Sequence, residues 1–210
     1  MLKVILSGHG KTDWNENNLL CGITDEAKLT SVGVRQSLYL SKFYGLRRDI
    51  NEIFCSPLTR ALQTVQPLAN CLQLPITIVP ELRDINFGDF DRRQINDYDV
   101  AEILLKAKND LSFRFPNGES YLDMIEQARH FVLQKIAPYQ KVKTAIYVQT
   151  HSAKLRSILA ILMGVDLSVS ENFNRIVTDN SIVYEVDFVA STCCWIDLFS
   201  GKEGAGLKLK

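Results

Sequence analysis

The stretch Leu2-Lys3-Val4-Ile5-Leu6-Ser7-Gly8-His9-Gly10 opens as a short apolar run and breaks at once into small and glycine residues. A run of this kind, bounded by turn formers, predicts a buried strand feeding a loop. The arrangement returns at Thr144-Ala145-Ile146-Tyr147-Val148, which continues through Gln149 and Thr150 to His151. In open α/β sheets ligands bind beyond the carboxyl ends of the strands, so both histidines are candidates for chemistry. One histidine at a strand end serves as readily to satisfy loop backbone groups. Two of them shift the balance toward a site. His130, the third histidine, falls within a helical stretch.

Working outward, helical and strand patterns alternate. Thr30 is a good N-cap for a helix over 30–44, with Val32, Tyr39, Leu40 and Phe43 on an apolar face and Ser37 and Ser41 opposite. A strand is predicted over 51–55, a helix over 58–72 with Pro67 as an irregularity, and a strand over 76–79. Helices follow over 96–111 and, capped by Ser120, over 120–136. After the strand that ends at His151 come a helix over 153–163, strands over 181–189 and 192–199, and a tail over 201–210 expected to fray. This alternation predicts right-handed crossovers in a three-layer α/β/α sandwich with a mostly parallel central sheet. The expected organisation is a single domain over 1–210 with a helical lid insert at about 92–120.

Composition narrows the partners. Lys+Arg and Asp+Glu both number 24, so no net field attracts nucleic acid or an anionic membrane. An anion site must be built locally, which points to a small ligand. The five cysteines form no CxxC pair, and adjacent Cys193 and Cys194 cannot close an ordinary disulfide, so reduced, packed thiols are expected. The opening apolar run is too short for a signal peptide and no run of 18 apolar residues occurs, which predicts a soluble, cytoplasmic chain. Three dispersed histidines offer no closely spaced metal ligands, so no metal cofactor is expected. A homodimer is left open.

Leu6-Ser7-Gly8-His9-Gly10-Lys11-Thr12-Asp13-Trp14-Asn15 resembles the nucleophile signature of the histidine phosphatases, the superfamily that includes the phosphoglycerate mutases, usually written Arg-His-Gly-Glu-Thr-x-Trp-Asn. Ser56-Pro57-Leu58-Thr59-Arg60-Ala61-Leu62-Gln63-Thr64 is similar to the family's Ser-x-Leu-x-Arg-Ala-x-Gln-Thr block. Leu82-Arg83-Asp84 resembles the segment that carries its catalytic acid, and Thr150-His151 with Leu155-Arg156 its second-histidine motif.

The resemblance implies that His9 attacks a phosphoryl group and that Arg60 and a protonated His151 balance charge on its oxygens. Asn15 and Ser152 would bind the phosphate beside them. Asp84, where the family normally has a Glu, would protonate the leaving group. It further implies a small phosphorylated substrate and a phosphatase rather than a mutase, because the segment between Asp84 and His151 is short. Gly8 breaks the pattern, since an Arg normally precedes the nucleophile and grips the same phosphate. Loss of one such donor costs roughly 10²–10³ in rate. Lys11, Arg83, Lys154 and Arg156 are the candidate cations to substitute, none of them placed by the sequence, and a catalytically silent homologue that binds a phosphorylated ligand or a protein partner is the alternative.

Overall fold

In the computed structural model, which describes residues 1–142 and 144–209, the opening run is strand β1 (Lys3–Gly8), buried from Val4 onward. The other strands are β2 (Ile50–Cys55), β3 (Ile76–Ile78), β4 (Ala145–Thr150), β5 (Ile182–Asp187), β6 (Thr192–Asp197) and β7 (Glu203–Ala205). They form one seven-stranded sheet in the order β3-β2-β4-β1-β5-β6-β7. The core β3-β2-β4-β1 is parallel. The β5, β6 and β7 edge is antiparallel.

Because successive strand side chains point to opposite faces, the strands divide their residues between two helical layers. Ile5, Ile53, Tyr147 and Val183 pack against α2 (Ser31–Tyr44) and α3 (Thr59–Leu72). Val4, Leu6, Ile146, Val148 and Tyr184 face the other way. There they meet α4 (Tyr98–Asn109), α5 (Tyr121–Phe131), α6 (Ser152–Leu162) and α7 (Ser170–Arg175). The single turn α1 (Asp13–Glu16) lies in the loop after β1. The result is the expected α/β/α sandwich, with a mixed sheet.

Three local expectations need correction. The face of α2 that is buried is the one carrying Gln36, Ser37, Leu40 and Ser41, whereas Tyr39 and Phe43 are exposed. The reason lies in α3, which runs straight through Pro67. Proline has no N–H to give the carbonyl four residues back, that of Gln63, and the Ser37 hydroxyl brings its one proton between the Gln63 oxygen at 3.4 Å and that of Thr64 at 2.7 Å. Ser41 donates to the Pro67 carbonyl at 3.1 Å. The 120–136 helix becomes π-helical over its last turn, Val132–Ile136. The tail does not fray: it forms β7 on β6, Val177 donates to the Lys208 carbonyl, and the Lys208 ammonium sits 4.5 Å above the Trp195 ring. Lys210 lies outside the described residues.

Among the described residues no helix is long and apolar enough to cross a membrane. Cys55 and Cys193 are buried, Cys21 is half-buried, and Cys71 and Cys194 are exposed, so packing accounts for only part of the set.

Candidate active site

The register of the parallel core brings the candidate residues together. Gly8 pairs with Thr150 across β1 and β4, and Cys55 with Gln149 across β2 and β4. The residues that follow, His9, His151 and Ser56, therefore leave three neighbouring strands at one edge. Strands in a sheet lie about 4.8 Å apart, and the two imidazole centroids are 5.2 Å apart with the rings inclined by 56°.

The hydrogen-bond partners assign a proton to one nitrogen of each ring. His9 Nδ1 lies 2.7 Å from the Gly10 carbonyl. That oxygen only accepts, so Nδ1 is protonated and Nε2 keeps its lone pair. The His9 loop is held by Asn180, which donates to the His9 carbonyl at 2.6 Å, and by Thr64, which accepts the Gly10 N–H at 2.9 Å. His151 Nε2 lies 2.7 Å from the Ser56 hydroxyl, which already accepts the Leu58 N–H. With the serine hydroxyl assigned as donor to Nε2, the imidazole proton of His151 sits on Nδ1, the nitrogen that faces Asp84 Oδ2.

Asp84 reaches this pair from the loop after β3, which Thr150 ties down by donating its hydroxyl to the Leu82 carbonyl at 2.7 Å. Its Oδ2 stands 3.6 Å from His151 Nδ1 and 3.6 Å from the Arg60 guanidinium, both beyond hydrogen-bond length and within Coulombic reach. Arg60, fully buried on the first turn of α3, donates to the Thr24 and Gly22 carbonyls at 2.8 and 2.6 Å. That engages two of its five N–H groups. Arg60 Nε and His151 Nδ1 are buried without a hydrogen-bond partner, an unspent capacity that is rare in native interiors.

Burial and charge set the protonation states. Burial, helped by the Arg60 charge, lowers the His9 pKa to about 3, so this imidazole is neutral at ordinary pH. His151 is driven well below its usual range by burial and then by Arg60. The protonated His151 expected from the sequence is therefore not the resting form of the protein alone. Burial raises the Asp84 carboxyl to about 6, against the opposing pull of Arg60.

His9 and Asp84 open on a cavity of about 380 Å³ lined also by Gly8, Asn15, Ser152 and Arg156, with Leu19, Phe87, Ile95 and Tyr121 as its apolar wall, whereas Arg60 and His151 are fully buried and are not among its lining residues. A larger depression of about 730 Å³ lies between α2 and α3, but it is walled by such residues as Val34, Leu38 and Pro67 and brings no such ensemble together. Asn15 Oδ1 accepts the Thr12 N–H at 3.1 Å, which leaves its NH₂ end for the cavity. The Ser152 hydroxyl is already bonded to the Thr178 hydroxyl at 2.6 Å. A Cβ built on Gly8 meets only the Asp179 carbonyl, at 3.9 Å. Among the described residues no group of three or more His, Cys, Asp or Glu is placed to hold a metal ion.

Of the candidate cations to substitute for the missing Arg, Lys11 is not among the lining residues. Arg83 pairs with Glu119 rather than with the Asp84 carboxylate, and Lys154 is buried against the Met124 carbonyl and Gln127. Arg156 does line the cavity, stacked 5.3 Å from the Phe173 ring centre, and so does Lys108 of α4. Sequence reasoning missed Ser56 and Asn180. Ser56 stood in the Arg60 block as its first residue, whereas nothing local to Asn180 marks it as a support for a loop 171 residues away.

The comparisons agree with this geometry. A family model described as "Histidine phosphatase superfamily (branch 1)" matches residues 4–196. The chain is 28% identical over 176 residues to the adenosylcobalamin/alpha-ribazole phosphatase of Escherichia coli K12, covering 82% of this chain and 84% of that protein. It is 27% identical over 168 residues to a Yersinia pestis protein named "Probable phosphoglycerate mutase GpmB", covering 79% and 76%. Among solved structures, a mycobacterial glucosyl-3-phosphoglycerate phosphatase superimposes with a TM-score of 0.78 at 20% identity over 98% of this chain and 97% of that one, a likeness of fold. With a family model spanning nearly the whole chain and two strand-end histidines meeting across β1 and β4, the chain belongs to the histidine phosphatase superfamily.

Proposed function

We propose that this chain is a phosphatase that hydrolyses a small phosphorylated metabolite through a phosphohistidine on His9, without a metal cofactor. The observation that carries the reading is the meeting of His9 and His151, ring centres 5.2 Å apart, with Asp84 Oδ2 3.6 Å from both His151 and Arg60. The neutral Nε2 of His9 attacks phosphorus in line, forming the N–P bond as the ester O–P bond breaks. Arg60 and His151 stabilise the equatorial oxygens with donors the protein leaves unspent. Asp84, protonated below about 6, gives its proton to the leaving oxygen. The resulting carboxylate then takes a proton from the water that attacks the phosphohistidine, releasing phosphate and restoring both groups. Asn15 and Ser152 line the same cavity and are read as phosphate contacts. Ile95 and Lys108, from the 92–120 segment, also line it, which supports reading that segment as a lid.

The second reading, a silent phosphate binder, is favoured by Gly8. Hydrolysis of p-nitrophenyl phosphate and of a panel of sugar and glycerate phosphates, without added metal, separates them in this chain and its His9→Ala and Gly8→Arg variants. Turnover that vanishes in His9→Ala supports the phosphatase. Turnover only in Gly8→Arg identifies a disabled scaffold, and none in any form leaves binding alone. Phosphoryl transfer between glycerate phosphates, in place of release to water, marks a mutase.

A further inference from the structure

Lys154 is unusual for a lysine: it is fully buried on the first turn of α6, three residues after His151, and points away from the cavity. Among the described residues no carboxylate lies within ion-pair distance of its ammonium. Its Nζ donates instead to Gln127 Oε1 at 2.9 Å and to the Met124 carbonyl at 3.2 Å. Gln127 in turn donates to Glu119 Oε1 at 2.8 Å. Glu119 grips the loop that carries Asp84 on both sides. It pairs with the Arg83 guanidinium and accepts the Asn86 N–H at 2.9 Å. Arg83 closes the chain on the Asp84 carbonyl at 3.1 Å.

We propose that Lys154 is a positioning residue for the candidate acid Asp84, acting through Gln127, Glu119 and Arg83 to lock the acid's loop to the helix that begins at His151. The inference rests on the phosphatase reading for its chemistry and on these contacts for its geometry. A buried cation without a direct counter-ion is costly, and here its compensation ends on the backbone of the acid. Lys154 also acts on Asp84 by charge. Asp84 is faced by Arg60 of α3, Lys154 of α6, Asp91 and His151. Lys154 is faced by Glu119, Arg83, Asp84 and Glu81, and burial lowers its own pKa to about 7.

The test compares Lys154→Met, which keeps the volume and removes the charge and donors, with the parent chain on two esters. An alkyl phosphate needs the acid and p-nitrophenyl phosphate, with its good leaving group, does not. A misplaced acid is expected to cost roughly tenfold on the alkyl ester, a fraction of the roughly 10²–10⁴ that complete loss of a general acid costs, and less than about twofold on the aryl ester. Asp84→Asn is expected to show the same selectivity, and the double variant no further loss. Equal losses on both esters, or additive losses, overturn the proposal. Independently of turnover, the Asp84 carboxyl followed by carbon NMR is expected to titrate at higher pH in Lys154→Met, because a nearby positive charge has gone. An unmoved titration overturns the proposal even if the enzyme is active. A moved titration in a chain that hydrolyses neither ester retains the positioning role and discards the phosphatase reading.

Discussion

Asp84 Oδ2 stands 3.6 Å from His151 Nδ1, too far for a hydrogen bond and within Coulombic reach. Burial raises the carboxyl to about 6 and keeps the imidazole neutral. The resting site thus holds an acid that retains its proton into mildly acidic solution beside a neutral imidazole.

The first consequence is a pH profile. His9 must be unprotonated to attack, and its pKa is lowered to about 3. Asp84 must be protonated to assist the leaving group, which fails above about 6. For an alkyl ester, kcat/KM is expected to rise through about pH 3 and fall through about pH 6. A profile flat to pH 8 removes Asp84 from the acid's role.

Phosphate binding is expected to take up a proton. A phosphate dianion beside His151 opposes the burial and Arg60 charge that hold this imidazole neutral and restores the positive form. Calorimetry of inorganic phosphate binding at pH 7 in buffers of different ionisation enthalpy reads the uptake directly. Equal heats across buffers count against it.

Gly8→Arg is expected to raise activity. The Cβ direction is clear to 3.9 Å and Gly8 lines the cavity, so a side chain can start from this position without a backbone clash at its Cβ. A restored charged donor at the transferring phosphoryl group is worth roughly 10²–10³ in kcat. An unchanged rate means that Arg156 or Lys108 already fills the role.

Ser56→Ala removes the 2.7 Å bond that holds His151 Nε2 and with it the preference for a proton on Nδ1. Leaving a buried polar atom unpaired costs about 1–2 kcal/mol, roughly tenfold or somewhat more in rate. The steady-state rate on p-nitrophenyl phosphate is the measurement, and full activity contradicts the assigned tautomer.

Asp84→Asn is expected to trade activity for stability. The folded carboxyl, raised from 3.8 to about 6, contributes fully below pH 3.8, loses that contribution as pH rises through 6, and carries the whole penalty at neutrality. Removing it is worth up to about 3 kcal/mol at pH 7. Melting curves at pH 4 and pH 7 check the sign: the variant's advantage belongs at the higher pH.

Much of this molecule was determined by local patterning. The runs Leu2–Leu6 and Ala145–Val148 become adjacent buried strands because apolar stretches ending in turn residues have few other ways to bury themselves. His9 and His151 then fall at the carboxyl edge by chain order alone, and Arg60, Asp84, Asn15 and Ser152 were legible from the resemblance of their surrounding motifs. Tertiary packing decided what no local pattern encodes. Ser37 and Ser41 turn inward because they reach carbonyls of α3, among them that of Gln63, which Pro67 leaves without its helical donor, and that contact forms only when the two helices pack. The tail is ordered because β6 offers an edge and Trp195 a surface for Lys208. Proton states also waited for the fold: burial and the Arg60 charge keep His151 neutral, while burial raises Asp84 to about 6 against the pull of Arg60, brought by another helix to within 3.6 Å of the carboxyl. Dielectric surroundings and charge separation are properties of the assembled protein, and one residue's neighbours in sequence do not set them.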